Sequence, residues 1–401
     1  MTWADPTRAD RTFLDASTQE TISTTGPPGR YPLTRRDSGL GSRSLSGPSQ
    51  TSIISDRYRF PPHLTGKGEC IAILAFGGRP CASDLIRFFE QETGVVPDLQ
   101  FRNATSTDSP NQNSRHDMET ALDIQVAGAL APGARIVTYF ATNDEKGWVD
   151  VVSQAIHDRE NRPSIISISW GVTEDWWRLD TIQTLNKLFE AASRLGITVC
   201  AASGDDGCAM DVDGHCRVVF PASSPFVLAC GGTHFAPDDV EIVWNEGSGC
   251  ASGGGISDRI PRASWQPRFT EVPSSHLPSR RDPSFDGRQL PDVSGLASHS
   301  FNVYAGGIYR NFVGGTSAVA PLWSALIARM NEGLRNRGLP PVGHFHPRLY
   351  REQVIQNSFR SVTSGHNDPF VRKGYVAHQG WNFCAGWGSP DGIKLLEALY
   401  S

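Results

Sequence analysis

Cys70-Ile71-Ala72-Ile73-Leu74-Ala75-Phe76 is an unbroken apolar run between polar and Gly-rich segments. A run of this length and composition predicts a strand buried on both faces. The pattern recurs in RIVTYF (135–140), SIISIS (164–169), ITVCAAS (197–203) and FVLAC (226–230). Amphipathic stretches near 83–92, 117–129, 148–159 and 179–194 lie between these runs. Buried strands alternating with helices predict an α/β fold: a central, mostly parallel sheet flanked by helices on both faces. Residues 232–310 are richer in Gly, Pro, Ser and Asp, and predict long loops with few regular elements. A last strong helix is expected at about 318–336. In open sheets of this kind ligands bind outside the carboxyl ends of the strands, so the residues following each run carry most interest.

The chain has 401 residues, room for two domains or for one large α/β domain with a tail. With 38% apolar and 20% charged residues a core is available, which excludes wholesale disorder. No apolar run is long enough for a transmembrane helix, so no membrane partner is expected. Lys and Arg number 37 against 42 Asp and Glu, and the net charge of −5 argues against general nucleic-acid binding. Eight cysteines without a CxxC pair are too sparse for a disulfide scaffold and argue against structural zinc. Cys208 and Cys216 could bridge, and the alternative is that most of the eight are small buried hydrophobes. Residues 1–56, with GPPGRYPLTRRDSGLGSRSLSGPSQTS at 26–52, read as a disordered tail. The first residues lack the apolar core of a signal peptide. The chain is thus expected to be intracellular, exported by another route, or missing its true start, and its compartment stays open.

Three segments carry unusual chemistry. In Gly314-Gly315-Thr316-Ser317-Ala318-Val319-Ala320-Pro321, a glycine turn leads into a helix, and Pro321 is expected in its first turn. Ser317 then sits at the helix start with its backbone N–H unused, as a serine nucleophile beside an oxyanion hole requires. The alternative is that Thr316 or Ser317 is only an N-cap. In the segment 117–127, Glu119 and Asp123 stand i and i+4 on one helix face beside core-like Leu122, Val126 and Ala129. Carboxylates near apolar surface and near each other titrate at raised, coupled pKa values, which suits acid–base work. A solvated acidic face is the alternative. Asp205 follows the run 197–203 at a strand carboxyl end, where it is either a site residue or an ordinary turn carboxylate. None of the eleven histidines lies in a small-residue turn after a strand, and His116 is at a helix start. A serine working with carboxylates is therefore better supported than a Ser-His-Asp triad.

YRFPPHLTGKGECIAILAFGG (58–78), ETALDIQVAGALAPGARIVTYFA (119–141), SISWG (167–171), ASGDDG (202–207), FPASSPFVLACGGT (220–233), PDVSG (291–295), GGTSAVAPLWSALIARMN (314–331) and GWNFCAGWGSPDG (380–392) together resemble the sedolisins, the serine-carboxyl peptidases. The resemblance runs collinearly from about residue 57 to 400 and implies one peptidase domain over 57–401 with a subtilisin-like fold. It implies that Ser317 is the nucleophile, Glu119 the general base, Asp123 the acid that orients it, and Asp205 the oxyanion-hole acid. It also places Ser169, Trp170 and Gly171, with Gly253, Gly254 and Gly255, on segments that hold the substrate backbone. The expected activity is a serine-type endopeptidase, active in acid through an acyl-enzyme on peptide or unfolded protein, as a monomer. The alternatives are a non-proteolytic binding or scaffold descendant, or another acyl-transfer enzyme.

Three departures accompany the resemblance. The family's calcium positions fall on Ser361, Val362, His378, Gly380 and Asn382, where Ser361 and Asn382 replace two aspartates. Calcium depends on anionic oxygens, so the site is expected to be degenerate and no cofactor to be required, unless Asp368 or Asp391 substitutes. No recognisable prosegment is expected within the residues that precede the domain here. Finally, at pH 4 the net charge would reach about +27, a self-repulsion that argues for an optimum nearer about pH 4–6.

Overall fold

The computed structural model describes residues 50–104, 114–210, 215–247, 249–269, 284–298, 301–370 and 374–401. The run that opens the domain forms strand β1 (Cys70–Phe76), buried at every position. Helix α1 (Gln50–Arg57) precedes it. After it come α2 (Ala82–Glu92), β2 (Asp98–Asn103), α3 (Ser114–Leu130), β3 (Arg135–Ala141), α4 (Glu145–His157), β4 (Ile165–Ile168), α5 (Leu179–Arg194) and β5 (Thr198–Ala202). The chain continues through β6 (Leu228–Phe235), β7 (Glu241–Val243), β8 (Val293–Leu296) and α6 (Thr316–Asn336), and ends in a helix over Gly392–Leu399.

The central sheet has the order β7-β6-β5-β4-β1-β3-β2, with β8 beside β6. Every pairing in it is parallel except that of β7. This is the subtilisin-like arrangement expected from the sequence. Side chains alternate along a strand, so β1 feeds two cores. Ile71 and Ile73 join the core formed with α3 and α6, whereas Ala72, Leu74 and Phe76 join the core formed with α4 and α5. Phe76 stacks on Trp148 of α4 at 4.1 Å between centroids. The order reverses around β1, because the chain crosses it between β3 and β4. The carboxyl ends of β1, β4 and β5 open onto that reversal, where open α/β sheets hold ligands.

Helix α6 is the spine, buried from Thr316 to Leu334. Its polar side chains anchor the segment before β1. Glu332 Oε2 accepts from the backbone N–H groups of Thr65, Gly66 and Lys67 at 2.7, 2.8 and 3.0 Å. Arg329 donates to the carbonyls of Leu130 and Pro61 at 2.6 and 3.1 Å.

Several expectations change. The tail was expected to reach residue 56, but α1 already packs from Gln50, with Thr51 and Ile54 buried; residues 1–49 lie outside the described residues. Among its described residues the stretch 232–310 holds more strand than expected. It ends β6, supplies β7 and β8, and pairs Gly255–Pro261 with Gly287–Leu290 and Phe301–Ala305 with Ile308–Val313. Most of these strands are short and mix polar with apolar residues, so local periodicity is weak. Cys208 and Cys216 form a disulfide, and Cys70, Cys200, Cys230, Cys250 and Cys384 are buried. Among the described residues no helix is long and apolar enough to cross a membrane.

Candidate active site

The site begins at Gly315. Its φ of 122° lies where a side chain is strained, and its N–H donates to Ala297 at 2.6 Å. The helix starts one residue later, and Gly315 has no side chain to cap it. The cap comes from Asp205, after β5: Oδ1 accepts from both the N–H and the hydroxyl of Thr316, each at 2.8 Å. Thr316 Oγ1 in turn accepts from Gly204 N–H at 3.1 Å. Thr316 thus serves the carboxyl group and does not itself cap the helix.

Burial drives the Asp205 carboxyl well above the usual carboxylate range. The two Thr316 donors oppose this, while the charges of Asp206 and Glu119 add to it. Asp205 Oδ2 is buried with no hydrogen-bond partner. A carboxyl that keeps its proton would carry it there, free to donate. Among the described residues nothing accepts from the Ser317 N–H, so a second donor stands beside it.

On the other side of Ser317 stands α3. Glu119 and Asp123 are both fully buried, so the acidic pair is not a solvated face. Burial first, and the Glu119 charge second, push Asp123 well above its ordinary value, and a hydrogen bond from Ser169 opposes them. That bond runs from Ser169 Oγ to Asp123 Oδ1 at 2.5 Å. The same hydroxyl lies 3.0 Å from the Ser317 carbonyl, while Ser317 Oγ donates to the Ser169 carbonyl at 3.2 Å. Ser169 therefore joins α3 to α6 through its side chain, a role missed in the sequence.

Pro321 explains how that junction is possible. It is the sixth residue of α6, not in its first turn as expected. A helical residue at 321 would normally donate to the carbonyl at 317, but proline has no N–H. The carbonyl left open is the one Ser169 Oγ reaches. The spacing of four between Ser317 and Pro321 was the available signal.

The remaining expected residues line the same region. Gly253 N–H donates to Gly204 O, and Ala251 N–H to Asp205 O, both at 2.8 Å, so the segment 251–253 runs alongside the Asp205 loop. A Cβ on Gly253 would strike the Ser203 carbonyl, and one on Gly254 the Phe383 carbonyl. Gly255 begins the strand Gly255–Pro261. Gly171 lies against Val219 and Phe220. The Trp170 side chain faces the core, edge-on to Phe76 at 5.6 Å and to His116 at 5.0 Å, so only its backbone is placed to meet a ligand.

The five calcium positions also converge. Asn382 Nδ2 donates to the carbonyls of Val362 and His378, and Ser361 Oγ accepts from Gly380 N–H. None of the five is a carboxylate, and among the described residues no group of three or more His, Cys, Asp or Glu is placed to hold a metal ion. Asp391 caps the last helix and pairs with Arg59, and Asp368 accepts from Phe370 N–H, so both candidate substitutes are engaged elsewhere. The donor set does not fit calcium.

A serine at a helix start, flanked by buried carboxyl groups on a subtilisin-like sheet, defines a class of serine hydrolase. Comparisons with known proteins place the chain within that class. The model of the subtilase family (Peptidase_S8) matches residues 104–388. Kumamolisin of Bacillus sp. (strain MN-32) is 42% identical over 386 residues, covering 92% of this chain and 67% of that protein. Human tripeptidyl-peptidase 1 is 33% identical over 380 residues, covering 87% and 64%. The structure of Pseudomonas sedolisin, a serine-carboxyl proteinase complexed with two molecules of pseudo-iodotyrostatin, superposes with a TM-score of 0.75 at 27% identity, covering 89% of this chain and 99% of that one. The chain spans about two thirds of the length of the first two relatives. It belongs to the sedolisin branch of the subtilase family, the serine-carboxyl peptidases.

Proposed function

We propose that the chain is an endopeptidase that cleaves peptides or unfolded protein in acid through Ser317, Glu119, Asp123 and Asp205. The observation that carries this reading is the placement of two fully buried acidic side chains of α3 and the buried Asp205 around the start of α6. The substrate backbone would pair with the segments 169–171 and 253–255, which border Ser317 and Asp205.

In the reaction, Ser317 Oγ turns from the Ser169 carbonyl to Glu119, which takes its proton as Oγ attacks the scissile carbonyl carbon. The carbonyl π pair moves onto oxygen, and that oxyanion accepts from Asp205 Oδ2–H and Ser317 N–H. The C–N bond breaks as Glu119 returns its proton to the leaving nitrogen, leaving an acyl ester on Ser317. Water then attacks the ester with Glu119 again as base, and Ser317 recovers its proton. Asp123, held by Ser169, keeps a proton near Glu119 and orients it.

Hydrolysis of a denatured protein from pH 3 to pH 8 tests this, with Ser317→Ala alongside. Activity in acid that falls by roughly 10⁶ in kcat in the variant is expected. Equal activity in the variant, or none at any pH from folded protein, overturns the proposal. Product analysis separates internal cleavage from release of short N-terminal peptides, and hydrolysis from acyl transfer.

A further inference from the structure

The five positions that correspond to the calcium site form a closed set of hydrogen bonds. Asn382, fully buried, is its centre. Its Nδ2 donates to the Val362 carbonyl at 3.1 Å and to the His378 carbonyl at 3.0 Å. Its Oδ1 accepts from the N–H groups of Cys384 and Ala385 at 3.1 and 3.0 Å. These four partners fix the amide orientation, because the flipped group would set oxygen against oxygen and N–H against N–H. Gly380 N–H completes the loop by donating to Ser361 Oγ at 3.0 Å.

Calcium would need six to eight oxygens at about 2.3–2.6 Å, several of them anionic. Here the Val362 and His378 carbonyls already receive the amide N–H groups, the Gly380 carbonyl meets the Ser361 hydroxyl, and none of the five positions carries a carboxylate. We propose that the Asn382 amide is the built-in replacement for the calcium ion, fastening this loop so that the fold neither needs nor binds a divalent cation there.

The loop matters beyond itself. Asn382 pairs with Gly386 through two backbone hydrogen bonds, at 3.1 and 2.8 Å, and Gly388 O accepts from Ser294 N–H of β8 at 2.9 Å. Ser252 Oγ donates to the Cys384 carbonyl at 2.7 Å, directly before Gly253 and Gly254. The amide thus braces a segment that borders Asp205. The inference rests on the fold and on these contacts, not on the catalytic reading, and its test reads metal and stability rather than activity.

The full chain, exposed to calcium and then dialysed, is assayed for metal by elemental analysis, and its Tm is compared in calcium and in chelator. Far less than one equivalent and an unchanged Tm are expected; a retained equivalent, or a Tm that drops on chelation, overturns the proposal. Asn382→Ala removes the partner of the Val362 and His378 carbonyls and of the buried Cys384 and Ala385 N–H groups and is expected to lower Tm by about 5 °C, with no rescue by calcium. Rescue would overturn it. The double variant Ser361→Asp/Asn382→Asp restores both carboxylates and is expected to gain a calcium-dependent rise in Tm; a Tm indifferent to calcium would show that this loop is not the replaced site. If Asn382→Ala does not fold, the wild-type measurement and the double variant decide.

Discussion

Thr316 and Ser169 are the residues whose side chains do the most for the site without belonging to the expected catalytic set. Thr316 gives Asp205 two hydrogen bonds that favour the ionised form, against a burial that disfavours it. Thr316→Val removes the hydroxyl donor, so the Asp205 pKa rises further and the proton needed at Oδ2 is kept to higher pH. The alkaline limb of kcat/KM is expected to move upward, and an unmoved limb would show that Asp205 does not set it. Asp205→Asn keeps an N–H donor that does not titrate, and is expected to retain activity past the wild-type alkaline limit. Asp205→Ala is expected to lose roughly 10²–10³ in kcat. Ser169→Ala releases both Asp123 and the Ser317 carbonyl. A loss of about 10² in kcat with little change in KM is expected, on the scale that misplacing reacting groups costs.

At the scale of elements, α6 trades helix regularity for a site. Pro321→Ala restores an N–H that competes with Ser169 for the Ser317 carbonyl. It is expected to stabilise the fold by at most about 3 kcal/mol of helix propensity, raising Tm, and to lower kcat. A rise in both would refute the role given to Pro321. The helices α2 to α5 and the strands β1, β3, β4, β5 and β6 were legible in the sequence because their apolar runs are long, whereas β2, whose DLQFRN is not an apolar run and is buried at no position, was not. The helix pair Glu119 and Asp123 was legible as a shared face, but not as a buried one. Only the docking of α3 on α6 decides which face of α3 is dry. Most of the strands between 241 and 313 were not legible, because they are only two to six residues long and lack a continuous apolar run.

The whole molecule carries opposing pH dependences. Glu174 is buried and accepts from Ser257 Oγ at 2.7 Å, and burial raises its carboxyl to about 7. The folded state therefore binds that proton more tightly than the unfolded chain, so its contribution is full in acid and is lost as pH rises through about 7. The span corresponds to at most about 3 kcal/mol. Asp292 runs the other way. Burial pushes it up, but Arg288, with both carboxylate oxygens at 2.6 Å, and His346 outweigh that and hold it far below the usual range. Its contribution is present above the ordinary carboxylate pKa and fades as pH falls below about 4. Thermal unfolding across pH is expected to show a maximum between these limits, near pH 4–6, with Glu174→Gln flattening the neutral side. A Tm that climbs steadily to pH 8 would contradict this.

The sequence alone determined the order of buried strands and helices, and it brought a hydroxyl, two stacked carboxylates and a third carboxyl to places where a sheet of this kind holds its site. Those are properties of period and of residue type, and they survive without knowledge of neighbours. Only the tertiary structure decided that the carboxylates are dry, that Ser169 and Pro321 act on the same carbonyl, that Thr316 serves Asp205, and that an amide fills the place of a cation. Each depends on groups far apart in the chain meeting at about 3 Å, where desolvation and hydrogen-bond direction set the chemistry.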